Sequence, residues 1–304
     1  MSSIYLHPLA YLVGLEGVAL MKAFAGEYDR DFTHARLAEV KRLLDTPEMW
    51  GDGVEIPTMP SPEGYDGWST SYDDPGNDYF EMDQAVLLPW LDRLAPGVAV
   101  DAACGTGRYA AFLAERGHEV HGFDTSPGML ARAAAKVPGA HFAEAAMTAM
   151  PMADSSADLV VNTLAMTHVG DLGPVFAEAA RILRPGGHLV VSDVRGYYIG
   201  SDRTPLVEES LAGEIGFVPS WSHPTSSYLR AALPAGFLVR ACEELPPDAG
   251  PQAYDEPDEP EAKVLPTPGR PASIWDLHAW VPEAAAAVQG RRVSLITWDF
   301  ELAG

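Results

Sequence analysis

The feature that most constrains the fold of this chain is a glycine-bearing turn between a strand pattern and a helix pattern. Val98–Ala102 reads as a short buried strand and Arg108–Glu115 as a helix, joined within Asp101-Ala-Ala-Cys-Gly-Thr-Gly-Arg-Tyr-Ala110. Gly105 and Gly107 permit a tight turn and let a ligand approach the backbone, because no Cβ intervenes. Behind them the helix start offers unpaired N–H groups to polar ligand atoms. Strand, glycine turn and helix in this order predict the first βα unit of a parallel, ligand-binding sheet.

The alternation continues downstream. Glu119–Asp124 reads as a second strand, and Ser126-Pro127 opens a helix with Ser as N-cap and Pro in the first turn. Leu159–Asn162 and His188–Asp193 are further strands flanking a helix, Pro174–Leu183, that Arg184-Pro-Gly-Gly closes. Phe237–Glu243 and Val293–Glu301 read as late strands with no helix pattern of useful length between them. The fold class is therefore α/β, a doubly wound, mostly parallel sheet. The first 95 residues read as helical, with one apolar face of Leu9, Leu12, Val13, Leu20 and Phe24 and another of Leu37, Val40, Leu43 and Leu44. Asp45–Asn77 reads as loop with short turns, and Leu87–Leu94 as a helix ended by Pro96-Gly97. Two regions are expected, 1–95 helical and 96–304 ligand-binding, the second interrupted by an acidic, proline-rich insertion at 245–271.

Charge narrows the function. Among 304 residues, 43 acidic side chains against 20 basic ones give a net charge of −23. Affinity for nucleic acid comes mainly from Lys and Arg displacing counterions, so nucleic acid and anionic membranes are disfavoured as partners. A small-molecule substrate is the default. Cys104 and Cys242 cannot make a disulfide framework at this length. Tyr5–Ala25 is broken by Glu16 and Lys22 and reads as an amphipathic helix, neither export signal nor membrane span. A cytoplasmic protein is expected, and no metal-binding spacing stands out.

Two carboxylates bear on the ligand. Asp101 stands at the mouth of the turn, where it suits a cationic or zwitterionic ligand better than a pyrophosphate. Asp124 ends the second strand, where a carboxylate accepts both hydroxyls of a ribose. Gly105-x-Gly107-x-x-Ala110 alone would also satisfy a nicotinamide-dinucleotide fingerprint. The downstream order differs, with Met150-Pro151, then Ala157-Asp-Leu-Val-Val-Asn162, then Leu183-Arg-Pro-Gly-Gly-His-Leu-Val-Val-Ser-Asp193. With these motifs, residues 65–195 resemble the class I S-adenosylmethionine-dependent methyltransferases, in the branch acting on small molecules.

The resemblance implies a seven-stranded, Rossmann-like sheet, S-adenosyl-L-methionine as donor and S-adenosyl-L-homocysteine as product. It carries donor contacts onto Asp101, Ala103, Gly105, Gly107, Asp124, Met129, Ala146, Met147 and Asn162. Ala103 replaces the first glycine of the family turn. The upstream Gly64-Tyr-Asp-Gly-Trp-Ser-Thr-Ser-Tyr-Asp73 resembles the family's Tyr-Asp element, which sets Tyr65 and Tyr72 beside the donor. Ala145-Ala146 stands where members often have Gly-Asp, so adenine recognition falls to backbone, water or Glu144.

His168, just past the strand ending near Asn162, is a candidate general base, and His223 a weaker one. Packing under the helix that follows is the competing reading for His168. Tyr197-Tyr198 falls where the family places substrate loops, and Trp275–Pro282 reads as a helix packed on the core. Cys104 reads as a small loop residue. The Asn162-Thr-Leu-Ala sequence lacks the Asn/Asp-Pro-Pro-Tyr of base amino-methylating enzymes. The expected function is methyl transfer to a small organic acceptor by in-line displacement. Two alternatives stand beside it: a protein of this fold that binds the donor but runs another reaction or none, and an NAD(P)-dependent oxidoreductase. The amino-terminal helices are expected to form a lid over the acceptor and to serve as a homodimer contact.

Overall fold

The computed structural model describes residues 3–75, 77–195, 206–245, 263–289 and 295–304. Tyr197, Tyr198 and most of the 245–271 insertion lie outside these. The first elements are β1 (Ser3–Leu6), α1 (Pro8–Phe24), α2 (Arg30–Leu44), β2 (Val54–Pro57), α3 (Ser61–Trp68) and α4 (Asp78–Leu91). There follow β3 (Val98–Ala102), α5 (Arg108–Glu115), β4 (Glu119–Asp124), α6 (Pro127–Lys136), β5 (His141–Glu144), β6 (Ala157–Thr163), α7 (Gly173–Ile182) and β7 (Leu183–Val194). The rest are β8 (Leu206–Glu209), β9 (Ile215–Val218), α8 (Thr225–Ala232), β10 (Phe237–Leu245), α9 (Ile274–His278), α10 (Pro282–Gln289) and β11 (Leu295–Leu302).

The chain divides into two compact units, residues 1–58 with 252–292, and residues 59–251 with 293–304. The expected boundary was residue 95. The difference has a physical reason: Leu87 and Leu91 of α4 are buried with Ala99, Tyr109, Leu113 and Val120 of the sheet unit. Residues 59–95 are thus part of the second core.

In the first unit, Leu12, Leu15 and Ala19 of α1 bury against Leu43, Trp50, Leu277 and the Ala284–Val288 face of α10. Asp29 caps α2 by accepting from the Phe32 N–H at 2.9 Å. The reading of the first 95 residues as helical needs one correction, since β1 and β2 pair antiparallel with Tyr5 opposite Glu55. Each strand is too short to show a period of its own. A second correction is α10, whose alanines blur the contrast between apolar and polar faces.

In the second unit, seven strands among the described residues order as β10-β11-β7-β6-β3-β4-β5. β3 through β7 run parallel, and β11 lies antiparallel between β7 and β10, with Trp298 opposite Val191 and Cys242. One face buries Val100, Phe123, Val160, Phe176, Val191 and Trp298, and the other packs on α4 and α5. Near-continuous apolar strands such as β6 are what two covered faces require. Strand order reverses between β3 and β6, and ligands of doubly wound sheets bind outside the carboxyl ends at that point. In this unit the sequence pattern shows no sign of α3, in the stretch taken as loop, of the short β5, of the β8–β9 hairpin or of α8.

Candidate active site

The turn after β3 is built on left-handed backbone. Ala103, Gly105 and Gly107 have φ of 61°, 52° and 82°. The conformation suits glycine; Ala103 carries the strain of a Cβ there. The Cys104 N–H donates to Phe123 O at 2.9 Å and the Gly107 N–H to Cys104 O at 2.9 Å, which fixes the loop against β4. A Cβ on Gly105 would meet only Tyr72 Cε1, at 3.9 Å, whereas one on Gly107 would lie 3.1 Å from the Ala133 Cα of α6. Gly105 faces open space. Gly107 serves helix packing.

Asp124 closes the turn from the other side. Its Oδ2 accepts from the Gly105 N–H at 2.8 Å and its Oδ1 from the Ser126 N–H at 2.9 Å. Burial raises its pKa and these N–H donors oppose the rise. Each oxygen keeps a lone pair for a further donor. Asp101 differs, being 1% exposed with an Oδ2 that has no hydrogen-bond partner among the described residues. Burial pushes its carboxyl up to about 7, against the pull of the Ala110 N–H and Arg108. Beside it Asn162 donates from Nδ2 to Ala102 O at 2.8 Å and reaches Met147 Sδ at 3.6 Å, while its Oδ1 is also unpartnered. Two orphaned acceptors at the ends of β3 and β6 fit a ligand that brings N–H donors and positive charge. That is the chemistry of the amino-acid end of S-adenosylmethionine.

The Tyr-Asp element forms α3 and the turn after it. Asp66 Oδ1 accepts from the Gly128 N–H at 2.8 Å and from Ser126 Oγ at 2.5 Å, clamping α3 to the start of α6. The aspartate of the Tyr65-Asp66 pair carries the same sequence signal as the tyrosines, and its role is this clamp. Tyr65, Trp68 and Tyr72 form a ring cluster with centroids 4.8–6.1 Å apart. Met129 is wholly buried in the first turn of α6, its N–H donating to Ser126 Oγ at 3.1 Å. Ala146 is exposed in the segment after β5, which the Ala145 N–H ties to Asp124 O at 2.9 Å.

The two histidines are not equivalent. Leu164, with φ of 56°, turns the chain after β6 so that Met166–His168 forms one tight turn. The buried Asp193 carboxylate accepts from the Thr167 N–H at 3.0 Å and from Tyr228 Oη at 2.6 Å, which anchors this turn. His168 Nε2 lies 2.7 Å from Tyr65 Oη and its Nδ1 lies 3.1 Å from Pro219 O. The structure thus joins His168 to the Tyr-Asp element. It does not do so for His223, which is buried with Nε2 between the carbonyls of Met166 (3.2 Å) and Val169 (2.8 Å). A ring nitrogen facing two carbonyls must donate its proton to them. His223 holds the loop together. Glu208 of β8 had no sequence signal; it packs beside Gly64, and burial lifts its carboxyl to about 7. The buried Cys104 thiol is pushed well up by burial and by Asp101 and Asp124, which removes it as a nucleophile. Among the described residues no helix is long and apolar enough to cross a membrane.

Residues 100–191 match the family model described as "Methyltransferase domain". Over this stretch the chain is similar to methyltransferases. Its methyltransferase relatives include malonyl-[acyl-carrier protein] O-methyltransferase of Pseudescherichia vulneris, 34% identical over 102 residues, 34% of this chain and 41% of that one. Demethylmenaquinone methyltransferase of Beutenbergia cavernae is 33% identical over 141 residues, 42% of this chain and 59% of that one. The chain spans about half the length of the curated relatives it matches. The fold is shared with the crystal structure of the [4+2]-cyclase SpnF, at TM-score 0.53 and 17% identity, over 82% of this chain and 98% of that one.

Proposed function

We propose that the protein is an S-adenosylmethionine-dependent methyltransferase acting on a small organic acceptor. The observation that carries this reading is the buried Asp101 oxygen, unpartnered among the described residues, beside a glycine turn that Asp124 closes. Asp124 would accept the ribose hydroxyls, the Gly105 backbone would let the donor lie close, and Asp101 would take its ammonium. The bound donor supplies a methyl group on a sulfonium, which leaves readily as a neutral thioether.

The protein's contribution is alignment and the exclusion of water. The rings of Tyr65, Trp68 and Tyr72 offer apolar walls and π faces toward positive charge. Asp66 fixes those rings by tying α3 to α6. The net charge of −23 supports a small acceptor over a nucleic acid. Both named relatives are methyltransferases. SpnF is called a cyclase, so the fold alone does not settle the reaction.

The test is incubation of the purified protein with methyl-labelled donor and a deproteinised small-molecule extract. Label in a low-molecular-weight product supports methyl transfer. Donor binding with no labelled product would leave a binding protein or another reaction.

A further inference from the structure

His168 is held in one tautomer. Its Nδ1 faces the carbonyl oxygen of Pro219 at 3.1 Å, and a carbonyl can only accept, so Nδ1 carries the ring proton. Burial lowers the His168 pKa, opposed only by that carbonyl, so the ring is neutral near neutral pH. Nε2 is then a bare lone pair, and the contact at 2.7 Å is the Tyr65 hydroxyl donating to it. The rings meet edge to face, with centroids 5.3 Å apart.

Tyr65 therefore spends its proton inward and keeps oxygen lone pairs for a second donor. The ionisable groups acting on it are Tyr72 from the turn after α3, Asp124 from β4, Glu208 from β8 and Asp193 from β7. All four, with burial, hold the phenol protonated. Such a hydroxyl does not rest as a tyrosinate. It can pass a proton on only as it receives another.

We infer that Tyr65 and His168 form a proton relay serving a hydroxyl-bearing acceptor, an inference that rests on the methyl-transfer reading. The acceptor O–H gives its proton to Tyr65 Oη while the Tyr65 proton moves to His168 Nε2. The acceptor is left with an oxyanion, Tyr65 is restored, and His168 becomes an imidazolium whose Nδ1–H stays on Pro219. The proton returns to water after product leaves. A neutral amine attacks through its own lone pair and a carboxylate is already ionised, so neither class needs this relay. An aromatic or enolic hydroxyl, with a pKa of about 10, does.

The experiment has two independent parts on the full-length protein. Nitrogen NMR of the histidines should show His168 with Nε2 unprotonated near neutral pH and a midpoint below that of free histidine, with the Nε2 resonance moved by Tyr65→Phe. Nε2 protonated near neutral pH would overturn the relay whatever the products are. In the second part, labelled donor and the small-molecule extract should give base-stable methyl ethers. His168→Gln should lower transfer on the order of a hundred-fold or more, with S-adenosylhomocysteine binding by calorimetry unchanged. The wild-type acid limb of kcat/KM should coincide with the NMR midpoint and vanish in the variant. Tyr65→Phe gives the same comparison if the glutamine variant fails to fold. Label found only in amines or base-labile esters, or full transfer in His168→Gln, would overturn the relay and leave methyl transfer standing. No labelled product at all would overturn both.

Discussion

At the scale of single residues, Asp101 links structure to ligand most directly. Its carboxyl is buried, has no partner for Oδ2 among the described residues, and is raised to about 7. A cationic ligand reverses the balance by favouring the ionised form. Donor binding should therefore release a proton near neutral pH and tighten as pH rises through about 7. Calorimetry in two buffers of different ionisation heat measures this directly. Wild type should give buffer-dependent heats and Asp101→Asn should not. Equal heats for wild type in both buffers would remove Asp101 from the donor site.

At the scale of elements, the turn after β3 assigns different duties to its two glycines. Both have positive φ, so alanine strains either one by about 1–2 kcal/mol. Only at Gly107 does the new Cβ also press on α6 backbone, 3.1 Å from Ala133 Cα. In urea unfolding, Gly107→Ala should be the less stable of the two variants. Gly105→Ala should stay folded yet bind donor at least about ten-fold more weakly, since its methyl group enters the space the ligand needs. The reverse order of effects would exchange their roles.

These duties mark how far the sequence could be read. β3, β4, α5 and α6 were legible because buried parallel strands and capped helices print themselves locally: apolar runs, Ser126-Pro127, the glycine turn. Asp101 and Asp124 stand out as candidates from their places near strand ends, and Gly105 and Gly107 from the turn between strand and helix. By contrast, β1–β2 and β8–β9 are four-residue strands stabilised by partners elsewhere, and α3 hides in a segment rich in Pro, Gly and Asp. The sequence ranks His168 above His223 but shows no physical reason for the difference. It depends on whether a ring nitrogen meets Tyr65 or two carbonyls.

At the scale of the whole molecule, buried ionisable groups set how stability depends on pH. Burial lifts Asp101, Asp193 and Glu208 in the sheet unit and Glu16 in the helical unit to about 7. A group with a raised folded pKa holds its proton more tightly when folded, so stability grows as pH falls through about 7 toward the ordinary carboxyl range. Burial lowers His118 and His168 in the sheet unit and His278, to about 4, in the helical one. Their contribution is lost as pH falls below the ordinary histidine value. Four carboxyls outweigh three histidines over this range, so the melting temperature should be higher at about pH 5–6 than at about pH 8, with little further change from these groups above that. Scanning calorimetry from acid to alkaline pH checks this, and a melting temperature rising steadily to pH 8 would contradict it. The central claim, that the turn after β3 and the end of β4 hold an adenosyl donor, is tested most directly by calorimetric titration of the full chain with S-adenosylhomocysteine. Wild type should bind with a single site. Asp124→Ala should bind about thirty- to hundred-fold more weakly, the loss of roughly 2–3 kcal/mol expected for a carboxylate accepting two hydroxyls. Equal affinity in a folded Asp124→Ala variant, or no binding by wild type, would contradict it.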